Sequence, residues 1–489
     1  MASNTREAEL KISSPTAEHI TELLAAISKL QNRYHEVYQS ELGIPSSLPS
    51  DYPHETSTIL DALAYLSVSQ GRPDSIALVL RINRNTQSVD IIASRNQDVP
   101  PASAVHLHQI WYFLRRLSNR YWEIYPNGTQ ETIVDREFRD ISLKFAELCV
   151  RFSSKRLKEI IDSGFSDLMD VSAHIQDPGH AFYGFQDSIR TVRHMLSRDE
   201  STFADGDWRL LFFCILAIEK ATDRLYKSGS IMAQELRQLW SLIRTGWLFR
   251  VRSIWESYDK LMKVTVSPQF RDIFNLQLNV HTISPETGKL SSIAESARQW
   301  EDVIEAALAY SNKYGDPRHT EPGVLDLSTI RSDTVYMAQE GVLRETVVHA
   351  EAKLLAAVEM SQQENPELPR VFTYISTTEP PCQGCDGFCR AFNITHGTTW
   401  KVQRWFEKAC PSWAFPSELP RRDDILKATY NLLASDWAAC YRGYLPKPAS
   451  SYSDSAAESG GIGAVLDFYE DEAQNIMAKM MELRKDMEG

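Results

Sequence analysis

The sequence lacks any long hydrophobic run. The longest, "LLFFCILAI" at residues 210–218, falls well short of the roughly 20 apolar residues that a membrane-spanning helix needs. The opening residues, "MASNTREAELKISSPTAEHITELL", contain no apolar stretch of the signal-peptide kind. An intracellular protein, cytoplasmic or nuclear, with no signal peptide or transmembrane segment, is the expectation. Positive charge is also in short supply: 52 Lys and Arg stand against 65 Asp and Glu, a net charge of -13. That balance excludes a surface that attracts phosphate backbones everywhere and leaves room only for a local basic groove. Cysteine is scarce too, seven in 489 residues, which excludes an extracellular disulfide framework.

What is present is ordinary globular material, 43% hydrophobic and 24% charged, in a chain long enough for two or three domains. In the first half, apolar residues recur three and four apart in "EHITELLAAISKLQNRYHEVYQSEL", "STILDALAYLSVSQ" and "AVHLHQIWYFLRRLSNRYWEIY". Alternating strand patterns are scarce there, so residues 1–265 read as a mostly α-helical N-terminal domain. After about 270, "FNLQLNVHTIS", "RVFTYIST" and "WKVQRWF" read as strands among helices, which implies an α/β domain over 270–445, with its core at 330–440. The Ser-, Gly- and Pro-rich residues 446–463 read as a linker, and 464–489 as a terminal helix.

The placement of the cysteines says more than their number. Cys149 and Cys214 stand alone in apolar helical segments, as buried thiols do. Cys382 and Cys385 form a CxxC in "EPPCQGCDGFCRAF" with Cys389 four residues on. By itself this is a redox pair, half of a structural zinc site or part of a catalytic one. The stretch "VVHAEAKLLAAVEM" at 347–360 separates these readings. Leu354, Leu355 and Val358 follow Glu351 at helical spacing, which puts a carboxylate at the head of a buried stripe. A helix turns about 100° per residue, so His349 and Glu351 converge on one site only where the helix begins.

Pro380 and Pro381 end the second strand and place Cys382 and Cys385 in the first turn of a new helix, on one face. Helix starts favour thiolates. His349, Cys382 and Cys385 are then three ligands for a tetrahedral Zn²⁺ with the fourth position open, as a catalytic zinc requires. Glu351, a carboxylate that is not a ligand, is left to move protons.

H-x-E followed by P-C-x-x-C is the recurrent signature of zinc-dependent nucleobase deaminases. "HAE" at 349–351 with "PCQGC" at 381–385 resembles the cytidine deaminase-like superfamily. "VVHAEAKLLAAVE", "YISTTEPPCQGCDGFCRAF", the His-Gly at 396–397 and "PSWAFP" at 411–416 look like a fungal group related to the OTT_1508-like deaminases. The resemblance covers roughly 330–440 and implies a three-layer α/β/α domain. It also implies zinc held by His349, Cys382 and Cys385, a zinc-activated water as nucleophile, and Glu351 as proton shuttle. The substrate so implied is a cytosine- or adenine-type base, as nucleoside, nucleotide or single-stranded nucleic acid. His396, Trp400, Ala350 and Pro381 are candidate substrate contacts, with Trp405 and Trp413 as further aromatic candidates for the pocket or the core.

Asn279 and Asn312 are nominal options for a ribose-binding asparagine. Lys401, Arg404, Lys408, Arg421 and Arg422 are candidates for phosphate contact or for a solvated face. The competing reading is an interaction protein with a closed structural zinc site, in which Cys389 or His396 joins Cys382 and Cys385. In either case the helical half is available for a protein partner or a homo-oligomer.

Overall fold

The computed structural model describes residues 15–33, 54–70, 75–127, 135–173, 181–227, 247–287, 294, 296–314, 335, 346–402 and 409–441. The expected linker at 446–463 and terminal helix at 464–489 lie outside the described residues, as do Arg404, Trp405, Lys408 and the side chain of Asn312.

The periodic apolar stretches become helices α1 (Ala17–Arg33) and α2 (His54–Leu66). A hairpin of β1 (Ile76–Asn83) and β2 (Ser88–Arg95) follows. Its loop is closed by the Asn83 carboxamide, whose Oδ1 accepts the Asn85 and Thr86 N–H groups at 3.1 and 3.2 Å. Gln87 completes the reversal in the left-handed region, at φ 52°. A helical series comes next: α3 (Pro101–Ile124), α4 (Arg136–Ala173), α5 (Ala181–Ser197), α6 (Asp205–Lys227), α7 (Phe249–Thr265) and the short α8 (Arg271–Asn275). The chain then forms β3 (Gln277–Ile283), α9 (Ala297–Tyr314) and α10 (Ala350–Glu364). Last are β4 (Tyr374–Thr377), α11 (Gln383–His396), β5 (Lys401–Val402) and α12 (Arg422–Tyr441).

The strands form one mixed sheet in the order β3-β2-β1-β4-β5. β1 runs antiparallel to both β2 and β4, whereas β3 is parallel to β2 and β5 to β4. Alternate residues of the strands enter different cores. Ile76, Leu78 and Leu80 of β1, with Val89, Ile91 and Ala93 of β2, pack into the core built by α2 to α7. Ala77 and Val79, with Ile375 of β4, pack into the core of α1, α9, α10, α11 and α12. Helices therefore cover both faces, and β1 can be apolar along most of its length.

The strands expected near 274–284 and 370–377 are present as β3 and β4. The first half, read as mostly helical, holds two strands as well, and these pair at the middle of the sheet. The boundary expected between 265 and 270 therefore does not separate helix from sheet. Strands on both sides of it join one layer, since Ala77 pairs with Thr377 and Leu78 with Ser376.

The chain leaves β2 and returns to the same place. Asn96 Oδ1 accepts the Ala350 N–H at 2.9 Å, and Lys353 Nζ donates to the Arg95 carbonyl at 2.5 Å. The start of α10 is thus fastened to the end of β2, although about 250 residues separate them.

Candidate metal centre

The two helix starts that carry the motifs meet beside one another. His349 is the residue before α10, with extended backbone at φ -65° and ψ 152°, and its side chain makes no capping bond. Cys382 stands in the same position before α11, at φ -75° and ψ 167°, also without a side-chain cap. A capping side chain at such positions stabilises a helix by about 1 kcal/mol. At α10 Asn96 serves in place of His349 by accepting the Ala350 N–H. The imidazole and the thiol are thereby left for each other, with His349 Nδ1 3.5 Å from Cys382 Sγ.

Cys385, one turn into α11, is buried, and donor atoms of His349, Cys382 and Cys385 all lie within 4.8 Å of one another. Two donors held at about 2.0 Å and 2.3 Å by one tetrahedral ion stand about 3.5 Å apart, so the His349 to Cys382 spacing fits a zinc-like ion. The donor set, one imidazole and two thiols, suits the same ion.

The protonation of the group follows from its crowding. Burial opposes a charge on His349, but the Cys382 thiolate raises its pKa well above the usual imidazole range. Burial likewise opposes ionisation of Cys382, and hydrogen bonding from Cys385 with the charge on His349 overcomes it and lowers the pKa well below that of a free thiol. Cys385, by burial and by the charge on Cys382, keeps its proton. A metal ion entering here displaces those protons.

Glu351 is 6% exposed, in the first turn of α10, and burial raises its pKa. Its Oε2 lies 3.4 Å from Cys385 Sγ, which donates to it. On its other side Cys385 accepts the Trp413 indole N–H at 3.3 Å. Gly384 allows this approach, because a Cβ there would stand 2.9 Å from both Trp413 and Leu24. Residues 346–348 and 412–414 run side by side: Val347 N–H donates to the Ser412 carbonyl at 2.8 Å, and Ala414 N–H to that of Val347 at 2.9 Å. Cys410, just before the second segment, hydrogen bonds with the Ser412 hydroxyl at 3.3 Å; burial opposes its ionisation, and the nearby charge on His349 lowers its pKa all the same.

Residues 348–417 match the family model of the OTT_1508-like deaminases. This is a cytidine deaminase-like family, and the matched stretch runs from the His349 helix start through the Cys410 and Trp413 loop. No curated protein and no solved structure matches the chain.

Within the deaminase-like stretch the structure brings together His349, Glu351, Cys382 and Cys385, with Ala350 and Pro381 buried beside them. Of the further candidates Trp413 reaches the cluster, through its bond to Cys385, whereas His396 and Trp400 do not. His396 lies eleven residues beyond Cys385, about 16 Å along α11. There it stacks on Phe392 with ring centroids 4.4 Å apart and faces Glu359 at 3.7 Å. Its partner in the His-Gly pair, Gly397, ends the helix at φ 64°. Trp400 is 6% exposed and packs in the core. Its main chain is held by Asn393, whose Oδ1 accepts the Trp400 N–H and whose Nδ2 donates to the Trp400 carbonyl, both at 2.7 Å.

Cys389 points at the Trp400 carbonyl, 3.7 Å away. Neither Cys389 nor His396 therefore closes the site in this structure, as the competing reading required. Asn279 donates to Asp90 across the sheet edge. Arg421 pairs with Asp424, and Arg422 with Asp423 while stacking on Phe415. Three residues of the cluster had no sequence signal: Asn96, Cys410, and Trp413 in the role of a donor to sulfur. Each reaches the site from a segment whose distance in sequence is unrelated to its distance in space.

Proposed function

We propose that this chain is a zinc-dependent hydrolytic deaminase acting on a cytosine- or adenine-type base, as nucleoside, nucleotide or single-stranded nucleic acid. One observation carries the reading. A buried carboxylate, Glu351, lies against a His/Cys/Cys group without being one of its three donors. The match of residues 348–417 to a deaminase family supports it.

A metal held by His349, Cys382 and Cys385 supplies a Lewis acid that activates water. The protein's part is positioning and proton transfer. Water replaces the exocyclic amine, leaving a carbonyl on the ring and releasing ammonia. Glu351 takes up the water's proton and passes it to the ring nitrogen and on to the departing amine. Its burial suits that work, since a carboxyl whose pKa is raised takes up a proton more readily than an exposed one. Trp413 holds Cys385 from one side and Asn96 fixes the start of α10 from the other.

The test is the full-length protein, assayed for zinc content and for ammonia release from cytidine, deoxycytidine, adenosine and single-stranded DNA and RNA. Glu351→Gln should keep its metal and lose turnover by about 10²- to 10⁴-fold. Zinc-loaded protein that releases no ammonia from any of these substrates would count decisively against the proposal.

A further inference from the structure

Lys353 is out of place by the ordinary rules. It is 3% exposed, although lysine is almost never buried unless something pairs with it. It also ends the first turn of α10, where the helix dipole disfavours a cation. The chemistry derived above gives it no task.

Its two bonds show what it holds. The Lys353 main-chain N–H donates to the His349 carbonyl at 3.0 Å, at the very start of α10. Its Nζ donates to the carbonyl of Arg95, the last residue of β2, at 2.5 Å. Helical side chains lean towards the N-terminus, so the long stem runs back along the helix start to the strand. One residue thereby grips His349 through its backbone and the sheet through its side chain. Asn96, next to Arg95, adds a second strap by accepting the Ala350 N–H at 2.9 Å. On the other side of His349, the Val348 N–H is held by the Glu286 carbonyl at 3.1 Å. The charges of Glu286 and Asp98 favour the protonated lysine. Residues two apart point about 200° apart round a helix, so Lys353 projects away from Glu351 and can be changed without altering that carboxylate.

We infer that Lys353 is a positioning residue, which draws the end of β2 onto the first turn of α10 and so sets His349 and Glu351 against Cys382 and Cys385. The inference rests on the metal reading of His349, Cys382 and Cys385 given above. An apolar side chain would fill the same space without desolvating a charge, but it would leave the Arg95 carbonyl without its donor and the helix start without its strap.

The test compares two variants of the full-length protein. Lys353→Met keeps an unbranched stem nearly as long and removes the ammonium; Lys353→Arg keeps a charged donor. Zinc affinity is measured by competition with a chelator, beside the urea midpoint of the metal-free protein. Lys353→Met should bind zinc about 10- to 100-fold more weakly than the wild type, as loss of a residue that orients a ligand does. Lys353→Arg should recover part of that loss. Cobalt-loaded Lys353→Met should keep its sulfur-to-metal absorption and change its ligand-field band, because the donors are the same and their geometry is not. An unchanged zinc affinity in Lys353→Met, whatever its urea midpoint, would make Lys353 a part of the core alone and overturn the inference. Equal weakening in both variants would overturn it too, since the donor would then be irrelevant.

Lys353→Leu carries the same comparison where Lys353→Met does not fold; if neither folds, the lysine serves the fold itself and the inference falls. In the ammonia-release assay, zinc-saturated Lys353→Met should lose kcat and keep KM, as displacement of Glu351 requires. A wild type that takes up zinc but releases no ammonia would sink the proposed function, and the affinities would still decide the role of Lys353. A wild type that takes up no zinc would sink both.

Discussion

Trp413 is completely buried, yet its indole N–H is directed at a sulfur and not at a carbonyl. A donor placed on a metal-binding thiolate stabilises its charge and fixes its direction. Trp413→Phe keeps an aromatic ring beside Phe388 and Phe415 and removes the N–H together with part of the indole. Zinc affinity, measured by competition with a chelator, should drop about 10- to 100-fold. An unchanged affinity would mean that the bond is incidental. Among single residues, His349, Glu351, Cys382 and Cys385 were legible beforehand because their chemistry is tied to short spacings at helix starts. Cys410 and Asn96 were not, since nothing local marks a cysteine or an asparagine as a neighbour of His349.

The elements that build the candidate site are two helices whose starts carry the His/Cys/Cys group. Both forgo a side-chain cap, and α10 recovers one from β2 through Asn96. The first turn of α11 also passes close to Trp413 and α1, and Gly384 is the residue that permits it. Gly384→Ala would place a Cβ 2.9 Å from the Trp413 ring and from Leu24, neither of which has room to retreat in a filled core. A loss of about 1–3 kcal/mol, read as a lower urea midpoint, is expected. No loss would show that the contact relaxes freely. At this scale the helices were legible because a surface helix alternates apolar and polar faces. β1 was not, because "IALVLRI" is covered on both faces and shows no alternation by which periodicity finds a strand.

The whole molecule is organised by the two faces of its sheet. Asp61 of α2 accepts the Tyr374 hydroxyl of β4 at 3.0 Å, so a helix from early in the chain is tied to the strand that leads into the Cys motif. Burial pushes the Asp61 carboxyl from 3.8 up to about 6, against the hydrogen bonds it receives. A carboxyl whose pKa is raised by folding binds its proton more tightly in the folded protein. Its contribution to stability is therefore fully present below pH 3.8 and is lost as pH rises towards about 6. Asp61→Asn removes that titration. Relative to the wild type, the variant should gain stability between pH 4 and pH 7, read as the difference in urea midpoints at the two values. An equal difference at both would show that Asp61 does not titrate in this way.

The sequence alone picked out the His/Cys/Cys group with Glu351 and most of the described helices, because local spacing dictates which side chains share a helix face or a helix start. Tertiary structure decided which of these surfaces meet. It set the hairpin of 76–95 in the middle of the sheet, removed Cys389 and His396 from the centre, and brought in Asn96, Cys410 and Trp413. The physical reason is that backbone pairing and apolar burial act between segments far apart in the chain, and proximity of that kind leaves no mark in the spacing of residues.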